Sequence, residues 1–342
     1  MKRLTVVCVT YNHEKYIRQA LDGILMQKVN FDFEVLVGDD ASTDKTPEII
    51  REYAKKYPDI IKPVLRRKNV GAAKNSIDLY KRVKTEYVAV CDGDDYWCDP
   101  DKLQKQVDFL DKNPDYATVF GKSREFFDDG SREDSYLPSA KAMAGFAKKG
   151  YLDASDILHY NDVTPCSLMW RWALPNGFPK WYDDEIMGDL ALNLIHAKKG
   201  KVGFIPEVMS CYRRHSGGMW QGAEDFTVSY KKYGAVFVNT FIHLRDYYGG
   251  AYQEDFNRAI GHVFWLRFLI AQKDKDVDSY VKFITRFFSE YLEIMEGLYG
   301  KTESSYLKKK IRRLRRWRKV LLIGLGLIFI VLIAILFRFI KC

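Results

Sequence analysis

The chain has few cysteines, no repeat, and no long apolar run until its C-terminal end. Its six cysteines, Cys8, Cys91, Cys98, Cys166, Cys211 and Cys342, are scattered. None forms a C-x-x-C pair and no histidine stands at zinc-finger spacing, which excludes a disulfide framework and a structural zinc site and reads as reduced thiols. Cys8 and Cys91 lie in apolar strands and are expected in the core. Cys342 is too close to the end for a prenylation box. Apart from one basic run there is no low-complexity segment. No secretory leader precedes the first strand, since Lys2-Arg3 runs directly into Leu4–Val9. The globular part is therefore expected to face the cytosol.

The main part of the chain also lacks an excess of charge of either sign. The formal net charge is +9, but residues 301–342 hold 12 Lys+Arg against Glu303 alone. Residues 1–300 keep 42 Lys+Arg and 44 Asp+Glu, a net of −2. A nucleic-acid partner needs basic patches on the domain itself, so none is expected. The basicity is concentrated at 308–319, KKKIRRLRRWRK, and leads into about 18 uncharged, mostly apolar residues from Val320 to Phe337. That is near the short end of what spans a bilayer. Basic flanks belong on the cytoplasmic side and attract anionic lipid. The expectation is a polybasic juxtamembrane segment at 307–319 and one transmembrane helix at 320–338, with membrane lipid as a partner.

What is present is acidic and stands at strand ends. The apolar run Tyr87–Cys91 stops in Asp92-Gly93-Asp94-Asp95. Carboxylates crowded at the tip of a buried strand repel one another unless a cation lies among them. A hard divalent cation (Mg or Mn) that also binds the phosphates of a nucleotide diphosphate suits them. Around this motif the first 121 residues alternate strand and helix. Strands are expected at Leu4–Thr10, Phe33–Gly38, Ile61–Leu65, Tyr87–Cys91 and Ala117–Gly121. Ile17, Ala20, Leu21, Ile24 and Leu25 recur at helical spacing, Thr46-Pro47 starts a helix running to about Tyr57, Ala72–Val83 forms another, and Asp99-Pro100 starts a fourth. This alternation predicts an α/β fold, a mostly parallel sheet with helices on both faces, whose ligands bind beyond the carboxyl ends of the strands. Residues 122–185 are less regular and are expected to form an acceptor-side surface. A helix follows over 188–199, a strand over 201–205, and a helical region over 223–306.

The runs Val6–Asn12, Val37–Asp44, Asn69-Val70-Gly71 with Asn75, and Asp92-Gly93-Asp94-Asp95 together resemble the family 2 glycosyltransferases of GT-A (Rossmann-like) fold, over residues 1–222. The resemblance implies that Thr10, Tyr11 and Asn12, Asp39 and Asp40, Asn69, Gly71 and Asn75, and Asp92 and Gly93 contact the nucleotide, and that Asp92 and Asp94 match the D-x-D metal signature. Trp97 is expected to be a packing residue. In inverting members one carboxylate deprotonates the acceptor. Asp189 occupies that place, with Gly188 where a glutamate is usual; Asp183, Asp184 and Glu185 are competing candidates. Arg213 and His215, before the Gly217-Gly218 pair, suit a flap over the diphosphate, and His215 is a third candidate metal ligand.

The resemblance thus implies a membrane-anchored, metal-dependent, inverting hexosyltransferase-type enzyme. Its donor is a nucleotide-diphosphate sugar, with UDP favoured, and its acceptor a glycan or lipid-linked saccharide. A polyprenyl-phosphate sugar synthase is the alternative enzyme, and a non-enzymatic membrane-tethered binding protein the alternative of a different class. Neither the particular sugar nor the oligomeric state is legible.

Overall fold

The structure is a computed structural model describing residues 2–159, 162–182, 187–218, 226–287 and 294. Its first half alternates as the apolar pattern requires: β1 (Leu4–Thr10), α1 (Ile17–Leu25), β2 (Phe33–Asp39), α2 (Thr46–Lys56), β3 (Ile61–Leu65), α3 (Ala72–Arg82) and β4 (Tyr87–Val90). There follow β5 (Tyr96–Trp97), α4 (Lys102–Lys112), β6 (Tyr116–Phe127), β7 (Ser135–Leu137), α5 (Ala144–Lys149), α6 (Ala154–His159), β8 (Leu168–Arg171), α7 (Gly188–Ala197) and β9 (Lys201–Arg214). Three helices close the order: α8 (Phe226–Tyr248), α9 (Gln253–Asp274) and α10 (Val277–Arg286).

The strands form one sheet in the order β3-β2-β1-β4-β8-β6-β9-β5, with β7 added beside β6. The half from β3 to β4 is parallel, and β1, β2 and β4 are buried on both faces, while the edge strand β3 is buried only at Ile61. The expectation of a mostly parallel sheet needs correction beyond β4. There β8 runs antiparallel to both β4 and β6, β5 antiparallel to β9, and β7 antiparallel to β6; only β6 and β9 pair in parallel. The fold is mixed α/β and GT-A-like. Residues 122–127, expected to be irregular, continue β6, and β9 runs nine residues past its expected end at Ile205 to Arg214.

Leu4, Val6, Cys8, Val35, Val37, Ala89 and Cys91 meet Ile17, Leu21 and Ile24 of α1 in the main core. Each such side chain contributes about 1.5–3 kcal/mol on burial. Trp97 is 1 % exposed and its Nε1 donates to the Cys166 carbonyl at 2.8 Å, so it is a packing residue. Helix starts use other side chains than the sequence pattern implied. Asp44 Oδ1 accepts the Thr46 N–H at 2.9 Å, and Gln27 Oε1 accepts the Leu103 N–H at 3.0 Å.

Residues 1–275 form one compact unit and residues 276–342 a second. Helices α8 and α9 thus pack within the same unit as the sheet, and the expected boundary at 222/223 falls inside it. Among the described residues no helix is long and apolar enough to cross a membrane. The expected polybasic segment at 307–319 and span at 320–338 lie outside the described residues.

Candidate active site

The parallel register brings strand ends to one edge of the sheet. Thr10 faces Asp39 across β1 and β2, and the loop after β4 folds back so that the Gly93 N–H donates to the Val9 carbonyl at 2.9 Å. Gly93 is required there, since a Cβ would stand 2.6 Å from Thr10 Oγ1 and 3.0 Å from His13 Nδ1. The turn carries Asp92, Asp94 and Asp95 into three different surroundings.

Asp94 is the carboxylate that meets imidazoles. Its Oδ2 lies 3.1 Å from His215 Nε2 and 3.6 Å from His13 Nε2. One ligand atom from each of His13, Asp94 and His215 falls within 4.8 Å of the others. Burial works to raise the Asp94 pKa, but the His215 hydrogen bond and the two imidazoles prevail and hold it below the ordinary value. Burial lowers the His13 pKa, which favours the neutral imidazole a metal requires. The His13 N–H donates to Thr46 Oγ1 at 2.9 Å, so α2 holds this residue in place. His13 Nδ1 and Thr10 Oγ1 are buried without a hydrogen-bond partner. A cation fits this nest: two imidazole nitrogens and one carboxylate form a donor set that suits Mn(II) better than Mg(II).

Asp92, expected beside Asp94 as a metal ligand, is not among the three residues of that cluster. Burial, then the charge of Asp94 and more weakly that of Asp189, pushes it up to about 7. Asp95 is 3 % exposed and raised further by burial and by Asp94. Its Oδ1 accepts the Arg213 N–H at 2.9 Å, so it ties the turn to β9.

Asp189 stands in the first turn of α7, its Oδ1 accepting the Leu190 N–H at 2.8 Å. Burial raises its pKa, as a proton acceptor working near neutral pH requires. The start of α7 is held from two sides. Tyr182 Oη donates to the Gly188 carbonyl at 2.9 Å, and the Met187 N–H donates to Thr240 Oγ1 of α8 at 2.9 Å. Asp183, Asp184 and Glu185 lie outside the described residues.

Most residues expected on the nucleotide also hold the scaffold. Asp39 accepts the Ser42 N–H at 3.1 Å and Asp40 accepts the Val70 and Gly71 N–H groups, each at 2.8 Å; both aspartates are sealed from solvent. Asn69 Nδ2 donates to the Asp40 carbonyl at 3.0 Å. Gly71 adopts φ 89°, which only glycine takes easily. Asn75 is fully buried, donating to the Gly38 carbonyl and accepting from Arg66 Nε, each at 2.8 Å. Asn12, at φ 55°, accepts the Thr43 N–H at 2.9 Å. Arg213 spends its guanidinium on the Asp94 carbonyl, Asp128 and Gln19, with 7 % of its side chain exposed. It clamps β9, α1 and the acidic turn together. Tyr11, by contrast, is 44 % exposed at the end of β1, with its ring open to a ligand. His13 was not anticipated; the signal was its place directly after Thr10-Tyr11-Asn12, and its link to Asp94 appears only in three dimensions.

A cavity of about 790 Å³ has Asp189 in its wall. One side comes from β6, β9 and the segment around Pro165, the other from α8 and α9.

The profile of the family described as "Glycosyl transferase family 2" matches residues 5–174. An uncharacterised protein of Mycobacterium tuberculosis, Rv1520, is 38% identical over 224 residues, spanning 64% of this chain and 61% of that protein. A Bacillus subtilis protein bearing the glycosyltransferase name EpsE is 34% identical over 147 residues, 43% of this chain and 52% of that protein. The chain therefore spans less than two-thirds of these relatives. The crystal structure of Staphylococcus aureus TarS residues 1–349 in complex with UDP superposes with a TM-score of 0.51 at 20% identity, covering 83% of this chain and 91% of that one. That likeness is one of fold.

Proposed function

This chain belongs to glycosyltransferase family 2, and on that premise we propose that it moves a sugar from a nucleotide-diphosphate donor to an acceptor hydroxyl with inversion at the anomeric carbon. The observation that carries the proposal is the cluster of His13, Asp94 and His215 at the acidic turn beyond the strand ends, with His13 and Asp94 inside the residues that the family model matches. UDP is the favoured nucleotide, in keeping with the ligand of the TarS structure. Tyr11 offers its open ring to the base.

His13, Asp94 and His215 would hold a divalent cation, which when bound neutralises charge on the departing diphosphate. The remaining steps belong to the protein. Asp189 accepts the proton of the acceptor hydroxyl as its oxygen attacks the anomeric carbon. The bond from that carbon to the diphosphate oxygen breaks on the opposite face, and the nucleotide diphosphate leaves with the electron pair. We read the basic run at 307–319 and the apolar stretch at 320–338 as a membrane anchor that keeps this chemistry at the cytosolic face, near a polyprenyl-linked saccharide.

The test is nucleotide release by the purified full chain from a panel of UDP-, GDP- and dTDP-sugars with Mn(II). At least one donor should be hydrolysed slowly and Asp94→Ala should abolish the release. Absence of turnover across the panel would end the proposal. For the anchor, a chain cut after Glu303 should leave the membrane pellet; if it still sediments there, 320–338 is not the sole anchor.

A further inference from the structure

We infer that the cavity at Asp189 is the acceptor site and that it selects an uncharged saccharide over a phosphate or uronate acceptor. The inference rests on the glycosyltransferase reading of Asp189 and deepens it. Asp189 and the cavity wall from α8 and α9 lie beyond residues 5–174, the part that the family model matches.

The wall has two chemistries. Tyr230, Phe237 and Phe241 lie along α8, the first pair stacked with centroids 5.0 Å apart and 18° between planes, the second 6.4 Å apart and 26°. Spacings of seven and four residues put them on one helix face, giving a continuous aromatic strip. Such a strip suits the apolar C–H face of a pyranose ring, for the same reason that aromatic residues carry ligand pockets generally.

The rest of the wall, from β6, β9 and α9, is charged, but its arginines are already paired. Arg214 Nε lies 2.7 Å from Glu125 Oε1. Arg258 reaches Asp255 at 3.6 Å and Glu254 at 3.2 Å. Burial lowers the His262 pKa and keeps that ring neutral. Asp162, which accepts the Ser139 hydroxyl at 2.5 Å, and Asp189 add negative charge that neither arginine in the wall offsets. Among the described residues of the wall both arginines already hold carboxylates, so an anionic acceptor would meet repulsion, whereas hydroxyls can donate to these carboxylates and gain charge-assisted bonds.

The experiment uses the full chain, its hydrolysed nucleotide sugar, and three acceptor classes: p-nitrophenyl glycosides of glucose, galactose and N-acetylglucosamine; p-nitrophenyl glucuronide; and undecaprenyl phosphate in detergent micelles. At least one neutral glycoside should be glycosylated, at a rate tenfold or more above either anionic acceptor. Phe241→Ala should lower the ratio of transfer to donor hydrolysis at least tenfold. Tyr230→Ala, at a less buried position, should lower it in the same direction and decides the matter if Phe241→Ala does not fold. Preference for the glucuronide or the lipid phosphate, hydrolysis without transfer to any neutral glycoside, or an unaltered ratio in Tyr230→Ala would each overturn the inference while leaving the transferase reading intact. Absence of nucleotide release from every donor would overturn both.

Discussion

His215 Nε2 stands 3.1 Å from Asp94 Oδ2, joining the end of β9 to the loop after β4 at the point where His13 also arrives. Two imidazoles on one carboxylate give a donor set for a transition ion rather than for Mg(II). Chelation with EDTA should stop nucleotide release, and Mn(II) should restore it at lower concentration than Mg(II). His13→Ala should raise the Mn(II) concentration needed for half-maximal release by about 10- to 100-fold. An unchanged Mn(II) midpoint in His13→Ala would remove this residue from the site.

Gly93 carries a second prediction. A methyl group there meets Thr10 Oγ1 at 2.6 Å and His13 Nδ1 at 3.0 Å, and Thr10 is 1 % exposed with nowhere to move. Gly93→Ala should cost about 1–3 kcal/mol of stability, the usual cost of overpacking. It should also weaken Mn(II) binding, because the side chain displaced is a ligand. Denaturant melts and a Mn(II) titration on the same variant separate the two effects. Loss of stability with unaltered Mn(II) binding would show that Thr10 alone yields.

The sheet edge was legible because short apolar runs ending in polar residues leave few alternatives: Leu4–Thr10, Phe33–Asp39 and Tyr87–Val90 are strands, and their tips meet. The division of labour at those tips was not legible. Asp40 and Asn75 have the chemistry of nucleotide ligands, and the same oxygens and amide serve equally well to hold a loop or pin α3 to β2. Only their burial separates the two uses. Asp92 and Asp94 differ in the sequence by nothing that predicts which meets the histidines, since the turn between them has no fixed period. The antiparallel strand β8, four residues long, gave too short a pattern to place between β4 and β6.

Asp189, the proposed base, is buried at a cost. Its folded-state pKa is raised by burial above the usual carboxylate value of about 3.9. The folded state therefore binds more protons than the unfolded chain between those two values. The contribution of this group to stability is most favourable below about pH 3.9 and is lost as pH rises through the folded pKa. Asp189→Asn keeps an oxygen for the Leu190 N–H but carries no buried charge. It should melt higher than the wild type at pH 7 to 8, and the gain should vanish below about pH 4. Transfer to a defined acceptor should fall by about 10²- to 10⁴-fold. A variant that keeps most of its transfer rate would put the base elsewhere.

The hydroxyl of Thr240 links the helices to the chemistry. It is fully buried, donates to the Val236 carbonyl at 2.7 Å, and accepts the Met187 N–H two residues before Asp189. Thr240→Val preserves shape but removes the acceptor, leaving that N–H without it at a cost of about 1–3 kcal/mol. Because the bond fixes the entry to α7, its loss should misplace Asp189 rather than the donor. The expected outcome is a fall in kcat for transfer of about tenfold, with the donor KM and the Mn(II) midpoint retained, since a small displacement of a catalytic group costs rate before it costs binding. Thr240→Ser, which restores the oxygen, should recover most of the rate. If Thr240→Val lowers only the melting temperature, or if Thr240→Ser fails to rescue it, then Thr240 serves the packing of α8 and does not position the carboxylate.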